Sequence, residues 1–172
     1  MNKKHLLLGL AIGLCSPFLG GFIVVKLGWM PVATASKPLP LEAYLAHSAL
    51  RAALTHERSV TSPIPVNETN LAAGAKVYKT DCAVCHGLPK NSMTAIAKGM
   101  FPDPPQLFDA MDMVTDDPVG STFWKVKNGI RLTGMPGFHG SRTDNELWQV
   151  TLLISNADKL PESVSTLLKV AP

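Results

Sequence analysis

The 172-residue sequence is poor in charged and aromatic residues, which make up only 17% and 6% of the chain. Such a composition excludes an extended acidic or basic tail and a long coiled coil. Three cysteines cannot form a disulfide scaffold, because one is always left over. Beyond residue 33 the basic and acidic residues are equal in number. The rest of the chain therefore lacks the electrostatic footprint of a nucleic-acid-binding protein, and no nucleic-acid partner is expected.

One long hydrophobic run is present near the start of the chain. Leu6–Val25 contains 20 residues without a charge. A helix of that length spans about 30 Å, the thickness of the bilayer core. Lys3 and Lys4 precede the run, and basic residues there favour a cytoplasmic N-terminus. We predict a single-pass anchor in the cytoplasmic membrane over residues 1–33, with the rest of the chain on the periplasmic side. A cleaved signal peptide is the alternative, although signal-peptide cores are shorter, at about 7–15 residues.

Proline-rich segments divide the exported part of the chain. Residues 34–66 are predicted to form a linker with one helix, placed over residues 41–58, which contain no proline or glycine. The compact domain is predicted to span residues 67–172.

Start and stop signals of helices occur throughout the compact domain. Its first helix is indicated by apolar residues at helical spacing: Leu71, Ala75 and Tyr78. A short helix is predicted over residues 92–98, and an Asp-Pro start and an Asn-Gly stop bracket another over residues 117–129. Thr143 and Glu146 fit a capping box, after which helical spacing continues to Pro161. No segment alternates apolar and polar residues with the period of two that is typical of strands, so the predicted fold class is all-α.

Residues 82–86 read Cys-Ala-Val-Cys-His, which is the C-x-x-C-H signature of covalent c-type haem attachment. One helical turn separates the thiols of Cys82 and Cys85, so both can add to the vinyl groups of one porphyrin. His86 is then held beneath the iron as an axial ligand. We predict one haem c, attached through these two cysteines. A thioredoxin-type pair requires a βαβ context, and a zinc site requires further ligands, which the sequence does not offer.

The second axial ligand is predicted to be Met135. Its thioether sulfur is a soft donor that favours ferrous iron. Gly134 and Gly137 let the loop bring its backbone close to a haem face. The alternative candidates for this ligand are four other methionines and one histidine close to Met135 in sequence: Met93, Met100, Met111, Met113 and His139.

The Cys82–His86 motif, the Gly134–Pro136 loop and the capped helix bearing Trp148 together resemble a class I c-type cytochrome of the membrane-anchored monohaem type. The sequence is similar to the cytochrome c domains of cbb3-oxidase subunits, over about residues 68–160. The resemblance implies a small helical domain around one covalent haem. It also implies that the helix containing Gly74 crosses the helix containing Trp148.

The resemblance further implies a support for the axial histidine. A proline carbonyl should accept the Nδ1–H of His86, and this raises the basicity of the ring. The candidates are Pro102, Pro104 and Pro105. Arg131 or Trp124 is implied to contact a haem propionate.

These features predict an electron carrier rather than an enzyme, because two strong axial ligands leave no open position on the iron. The expected partners are redox proteins of a respiratory chain, or a membrane dehydrogenase or oxidase. If Met135 dissociates readily, a haem peroxidase or a gas sensor is the alternative. A structural or assembly subunit, in which the haem mainly forms a folding core, is a third possibility.

Overall fold

The computed structural model describes residues 2–169, and all regular secondary structure in that range is helical. The helices are α1 (Lys3–Lys26), α2 (Glu42–Ala53), α3 (Glu68–Val77), α4 (Ala83–His86), α5 (Ala95–Lys98), α6 (Val119–Asn128), α7 (Asp144–Ile154) and α8 (Glu162–Lys169). A 3-10 turn covers Glu57–Ser59, and a π-helical turn, Tyr78–Cys82, joins α3 to α4. Contacts divide the chain after Glu42 into an N-terminal unit and a larger unit that begins at Ala43. The all-α prediction is confirmed.

The N-terminal unit consists mainly of α1. This helix has 24 residues, none of them buried, and an 18-residue window within it has a mean hydropathy of 2.1. It begins at Lys3, where the Asn2 side chain accepts a hydrogen bond from the Lys4 N–H. Pro17 lies inside the helix, and helices that span membranes tolerate proline at such positions. By length and composition α1 can cross a membrane, as the hydrophobic run predicted.

The core of the larger unit is the crossing of α3 and α7. Gly74 lies at the contact, where a Cβ atom would overlap the Gln149 carbonyl oxygen. The absence of a side chain therefore lets the two backbones approach closely. Leu71 and Tyr78 are buried beside the crossing. The predicted crossing of these two helices is confirmed.

Helix α7 begins with the predicted capping box. The Thr143 hydroxyl accepts from the Glu146 N–H, and the Glu146 carboxylate accepts from the Thr143 N–H at 2.9 Å. Trp148 stacks on Phe123 of α6, with ring centroids 3.8 Å apart and an interplanar angle of 6°. This stacking packs α6 against α7.

The predicted continuation of that helix to Pro161 is wrong. Helix α7 ends at Ile154, and the Asn156 side chain donates to the Leu152 carbonyl at 2.7 Å, satisfying an acceptor of its last turn. A separate helix, α8, then follows Pro161 and buries Val164 and Leu168. Sequence reasoning missed α8.

Two other predicted helices differ at their starts. The short helix is limited to Ala95–Lys98, because the Thr94 hydroxyl caps it by accepting from the Ala97 N–H at 3.1 Å. The next helix begins at Val119 rather than after an Asp117 cap. The Asp117 carboxylate instead pairs with Lys125 Nζ at 2.8 Å.

The segment before the predicted domain packs with it. Helix α2 ends at Ala53 and does not reach residue 58, the end predicted for this helix. Leu54, the residue after it, is buried. The carbonyls of Glu57 and Val60 lie so close to Gly120 of α6 that a Cβ there would overlap both. The contacts thus place residues 43–66 in the larger unit, while the domain boundary at residue 67 remains a prediction.

Candidate functional site

A cavity of about 230 Å³ lies in the larger unit, between the segment from α3 to α4, helices α6 and α7, and the loops before and after α6. Its walls are mostly apolar side chains, among them Leu107, Val126 and Phe138. The residues predicted from the sequence to form the site all line this cavity: Cys82, Cys85, His86 and Met135. Folding therefore brings Met135 to the residues of the C-x-x-C-H motif.

The two cysteines are positioned by a change in helix geometry. Helix α3 widens into the π-helical turn, which ends at Cys82, and α4 then carries Cys85 and His86. Such π turns inside helices are frequent at functional sites. Helix α4 is followed by Gly87, whose φ of 72° lies in the left-handed region that favours glycine. Both thiols are half-buried at the cavity wall.

His86 is held by a single proline carbonyl. Its Nδ1–H donates to the Pro105 oxygen at 2.8 Å, so Pro105 is the support among the three candidates. Burial lowers the pKa of His86, and the hydrogen bond to Pro105 opposes this shift in part. The ring is therefore neutral near pH 7, and the proton on Nδ1 leaves the Nε2 lone pair free for a metal.

Tyr78 fixes the backbone around the histidine. Its buried hydroxyl lies 2.8 Å from the Gly87 carbonyl oxygen and 3.1 Å from that of His86, and donates to both. The ring of Phe108 packs edge-on against Tyr78, at a centroid distance of 5.1 Å. Burial raises the pKa of Tyr78 well above its usual value. Tyr78 therefore acts as a neutral donor that ties the end of α3 to the end of α4.

An ion-pair cluster holds the residue before the first cysteine. Arg142 Nε lies 2.7 Å from Asp81 Oδ2, and Arg142 Nη1 lies 3.1 Å from Glu146 Oε1. The hydrogen bond to Asp81 raises the pKa of Arg142, whereas hydrogen bonds from Thr143 lower the pKa of Glu146. Burial, followed by the Asp81 carboxylate, raises the pKa of the Cys82 thiol to about 12. Arg142 thus connects the π-helical turn to the start of α7.

The alternatives to Met135 do not all reach the cavity. Met100 lines it, and its methyl group lies against Gly134, where a Cβ atom would overlap it. His139 is exposed, and its Nδ1 lies 3.2 Å from the Lys127 carbonyl oxygen. The alternatives that do not line the cavity are Met93, Met111, Met113 and His139. Two methionines, Met135 and Met100, therefore remain as candidates for a second axial ligand.

Sequence reasoning missed several residues of the site. Leu50 of α2 lines the cavity, and only its apolar spacing with Leu54 could have indicated a buried face. Lys125 also lines the cavity, whereas Arg131 and Trp124 do not. No sequence signal singled out Arg142 or Gln106, because Asp81, a partner of Arg142, is distant in sequence and Gln106 lies in a loop.

The residues at this cavity fit a haem better than a bare metal ion. Within residues 2–169 no group of three or more His, Cys, Asp or Glu side chains could hold a metal ion. An apolar cavity lined by one neutral imidazole and by soft thioethers suits a porphyrin iron with two axial ligands. The two thiols at the wall are in place for attachment of such a group.

Comparison with known families agrees with this geometry. A family model described as "Cytochrome C oxidase, cbb3-type, subunit III" matches residues 69–154, which is half of the chain. The match contains the C-x-x-C-H motif, the Gly134–Pro136 loop and helices α4, α6 and α7. A comparison with curated proteins finds no match. On the family match, the chain belongs to the cbb3-type cytochrome c oxidase subunit III family, and residues 69–154 form a class I c-type cytochrome domain.

Proposed function

We propose that the protein is a membrane-anchored electron carrier with one haem c. Cys82 and Cys85 would hold the haem through two thioether bonds, and His86 and Met135 would be the axial ligands of its iron. The observation that carries the proposal is that one cavity is lined by all four of these side chains.

The protein residues would tune the haem rather than react with a substrate. A bound haem supplies reversible one-electron exchange between ferric and ferrous iron. The Pro105 carbonyl makes His86 more electron-donating, which favours the ferric state, whereas a Met135 thioether favours the ferrous state. The apolar wall of the cavity would limit the access of water to a bound haem. With both axial positions filled, no coordination site is left for a substrate, and we propose that the protein is not an enzyme.

The location proposed for the haem domain is the periplasmic side of the cytoplasmic membrane. Helix α1 is long and apolar enough to anchor the chain, and Lys3 and Lys4 favour a cytoplasmic start. Covalent haem attachment of the c type takes place after export, which agrees with that orientation. The proposed partners are redox proteins of a respiratory complex, in keeping with the family description.

The test is the optical spectrum of the purified full chain in both redox states, for the wild type and two methionine variants. We expect covalently bound, low-spin haem with a sulfur-to-iron charge-transfer band in the oxidised protein. Met135→Ala should abolish that band, and Met100→Ala, which removes the other methionine at the cavity, should retain it. Loss of the band in Met100→Ala alone would assign the ligand to Met100 and contradict the proposed ligation.

The same spectra separate electron transfer from the alternative function. A wild-type protein with high-spin iron, or one that binds CO readily, would contradict the electron-carrier proposal. That result would favour a haem peroxidase or a gas sensor with a labile sixth ligand.

A further inference from the structure

The segment of residues 104–107, here called the support segment, lies against the end of α4. Pro105 accepts the Nδ1–H of His86 at 2.8 Å, and the Leu107 N–H donates to the His86 carbonyl at 3.3 Å. The support segment therefore contacts His86 at both its ring and its backbone. The position of the Pro105 carbonyl then decides how strong the hydrogen bond to the ring can be.

The support segment cannot anchor itself through its first two residues. Pro104 and Pro105 have no N–H groups, so neither can donate a backbone hydrogen bond. Gln106 supplies the missing donors. Its side-chain Nε2 donates to the Cys85 carbonyl and to the Pro104 carbonyl, each at 3.0 Å. Its backbone N–H donates to Asp112 Oδ2 at 2.9 Å.

The amide of Gln106 is fixed in one orientation. Both protons on Nε2 are directed to carbonyl oxygens, so exchanging the amide oxygen and nitrogen would place oxygen against oxygen. Its Oε1 atom is buried, has no hydrogen-bond partner among the described residues, and lies so close to Gly87 that a Cβ atom there would overlap it. Gln106 therefore links Cys85 of α4 to Pro104, the residue that precedes Pro105; we call these two hydrogen bonds the Gln106 clasp.

We propose that Gln106 is a positioning residue that holds the Pro105 carbonyl against His86 and thereby lowers the reduction potential of the haem iron. The proposal rests on the proposed function, in which His86 is an axial ligand. A strong hydrogen bond from Nδ1–H makes the imidazole a better donor, which stabilises ferric iron. When the Gln106 clasp is lost, the Pro105 carbonyl moves more freely, the hydrogen bond weakens, and the ferric state loses stabilisation.

The test compares Gln106→Leu with Gln149→Leu in the full-length haem-loaded protein. Gln149 is a matched control, because its Nε2 donates to Asn70 Oδ1 at 3.2 Å between α7 and α3 and its side chain does not line the cavity. The first readout is the reduction potential from a spectroscopic redox titration. We expect Gln106→Leu to raise the ferrous-to-ferric ratio at a fixed potential by about threefold to tenfold, where tenfold corresponds to about 59 mV for one electron.

The second readout is hydrogen exchange of the His86 Nδ1–H, followed by NMR in the ferrous protein. We expect faster exchange in Gln106→Leu and no change in Gln149→Leu. Equal effects of the two variants, or an unchanged potential and exchange rate in Gln106→Leu, would overturn the inference. A wild-type protein without His86-ligated, low-spin haem would instead overturn the proposed function, so the two failures are distinct.

A second pair of variants covers the case in which Gln106→Leu does not fold. Asp112 is exposed, and its carboxylate accepts the Gln106 N–H. Asp112→Asn removes the charge and keeps an acceptor oxygen, whereas Asp112→Ala removes both. We expect a larger rise in potential and faster His86 Nδ1–H exchange in Asp112→Ala than in Asp112→Asn. Equal shifts in the two variants would assign the effect to charge alone and overturn the inference.

Discussion

The buried hydroxyl of Tyr78 offers a sharp test of how the site is held together. Tyr78→Phe removes one donor from two carbonyl oxygens, those of His86 and Gly87, and changes nothing else in size or shape. The His86 carbonyl keeps the Leu107 N–H as a donor, whereas the Gly87 carbonyl loses its Tyr78 donor at a buried residue that water reaches poorly. Loss of a buried hydrogen bond with an acceptor left unpaired costs about 1–2 kcal/mol. We expect that decrease in the free energy of unfolding.

The assay is denaturant unfolding of the oxidised, haem-loaded protein, followed by circular dichroism. Tyr44→Phe is the matched control, because Tyr44 is the other tyrosine of the chain and its side chain is 65% exposed. Its substitution should change the free energy of unfolding by less than about 0.5 kcal/mol. In a domain of about 100 residues, each kcal/mol lost at Tyr78 lowers Tm by roughly 4–8 °C. Equal losses in the two variants would refute the role assigned to the Tyr78 hydroxyl.

Two other predictions concern pH and helix packing. Because burial raises the pKa of Tyr78 above that of an unfolded tyrosine, the unfolded chain loses this proton first as the pH rises. The free energy of unfolding should therefore fall as the pH rises above about 10, by up to about 1.4 kcal/mol per pH unit. Tyr78→Phe should remove this contribution to the pH dependence measured in alkaline unfolding curves. An unchanged pH dependence in the variant would contradict this. Gly74→Ala should destabilise the domain by about 1–3 kcal/mol in denaturant unfolding, because the new Cβ overlaps the Gln149 carbonyl of α7. Gly140→Ala, with nothing within 4 Å, is its control, and similar losses in both would argue against the close crossing.

Features that depend on local sequence were predicted well. The capping box of Thr143 and Glu146 forms as expected, because both partners lie within one helical turn. The hydrophobic run forms one helix, α1, because an apolar segment without charges needs no distant contact to become helical. The family match includes the C-x-x-C-H motif from which the domain type was inferred.

Helix ends were predicted less well, because they depend on competing partners. Asp117 was expected to cap α6, but it pairs with Lys125, a competition that local spacing does not reveal. Helix α8 escaped prediction because its amphipathic pattern is short and follows a proline. The packing of Glu57 and Val60 on α6 was also missed, since it depends on the small size of Gly120 at a distant contact.

The sequence by itself determined the helical class, the apolar N-terminal helix and the residue types of the haem site, because each depends on local spacing or on a short motif. Only the tertiary structure decided which proline supports His86, which methionines reach the cavity, and which side chains hold the motif in place. Those choices depend on contacts between residues far apart in the chain, such as Arg142 with Asp81. Their geometry is set by packing of the whole domain, and a single sequence carries no direct record of it.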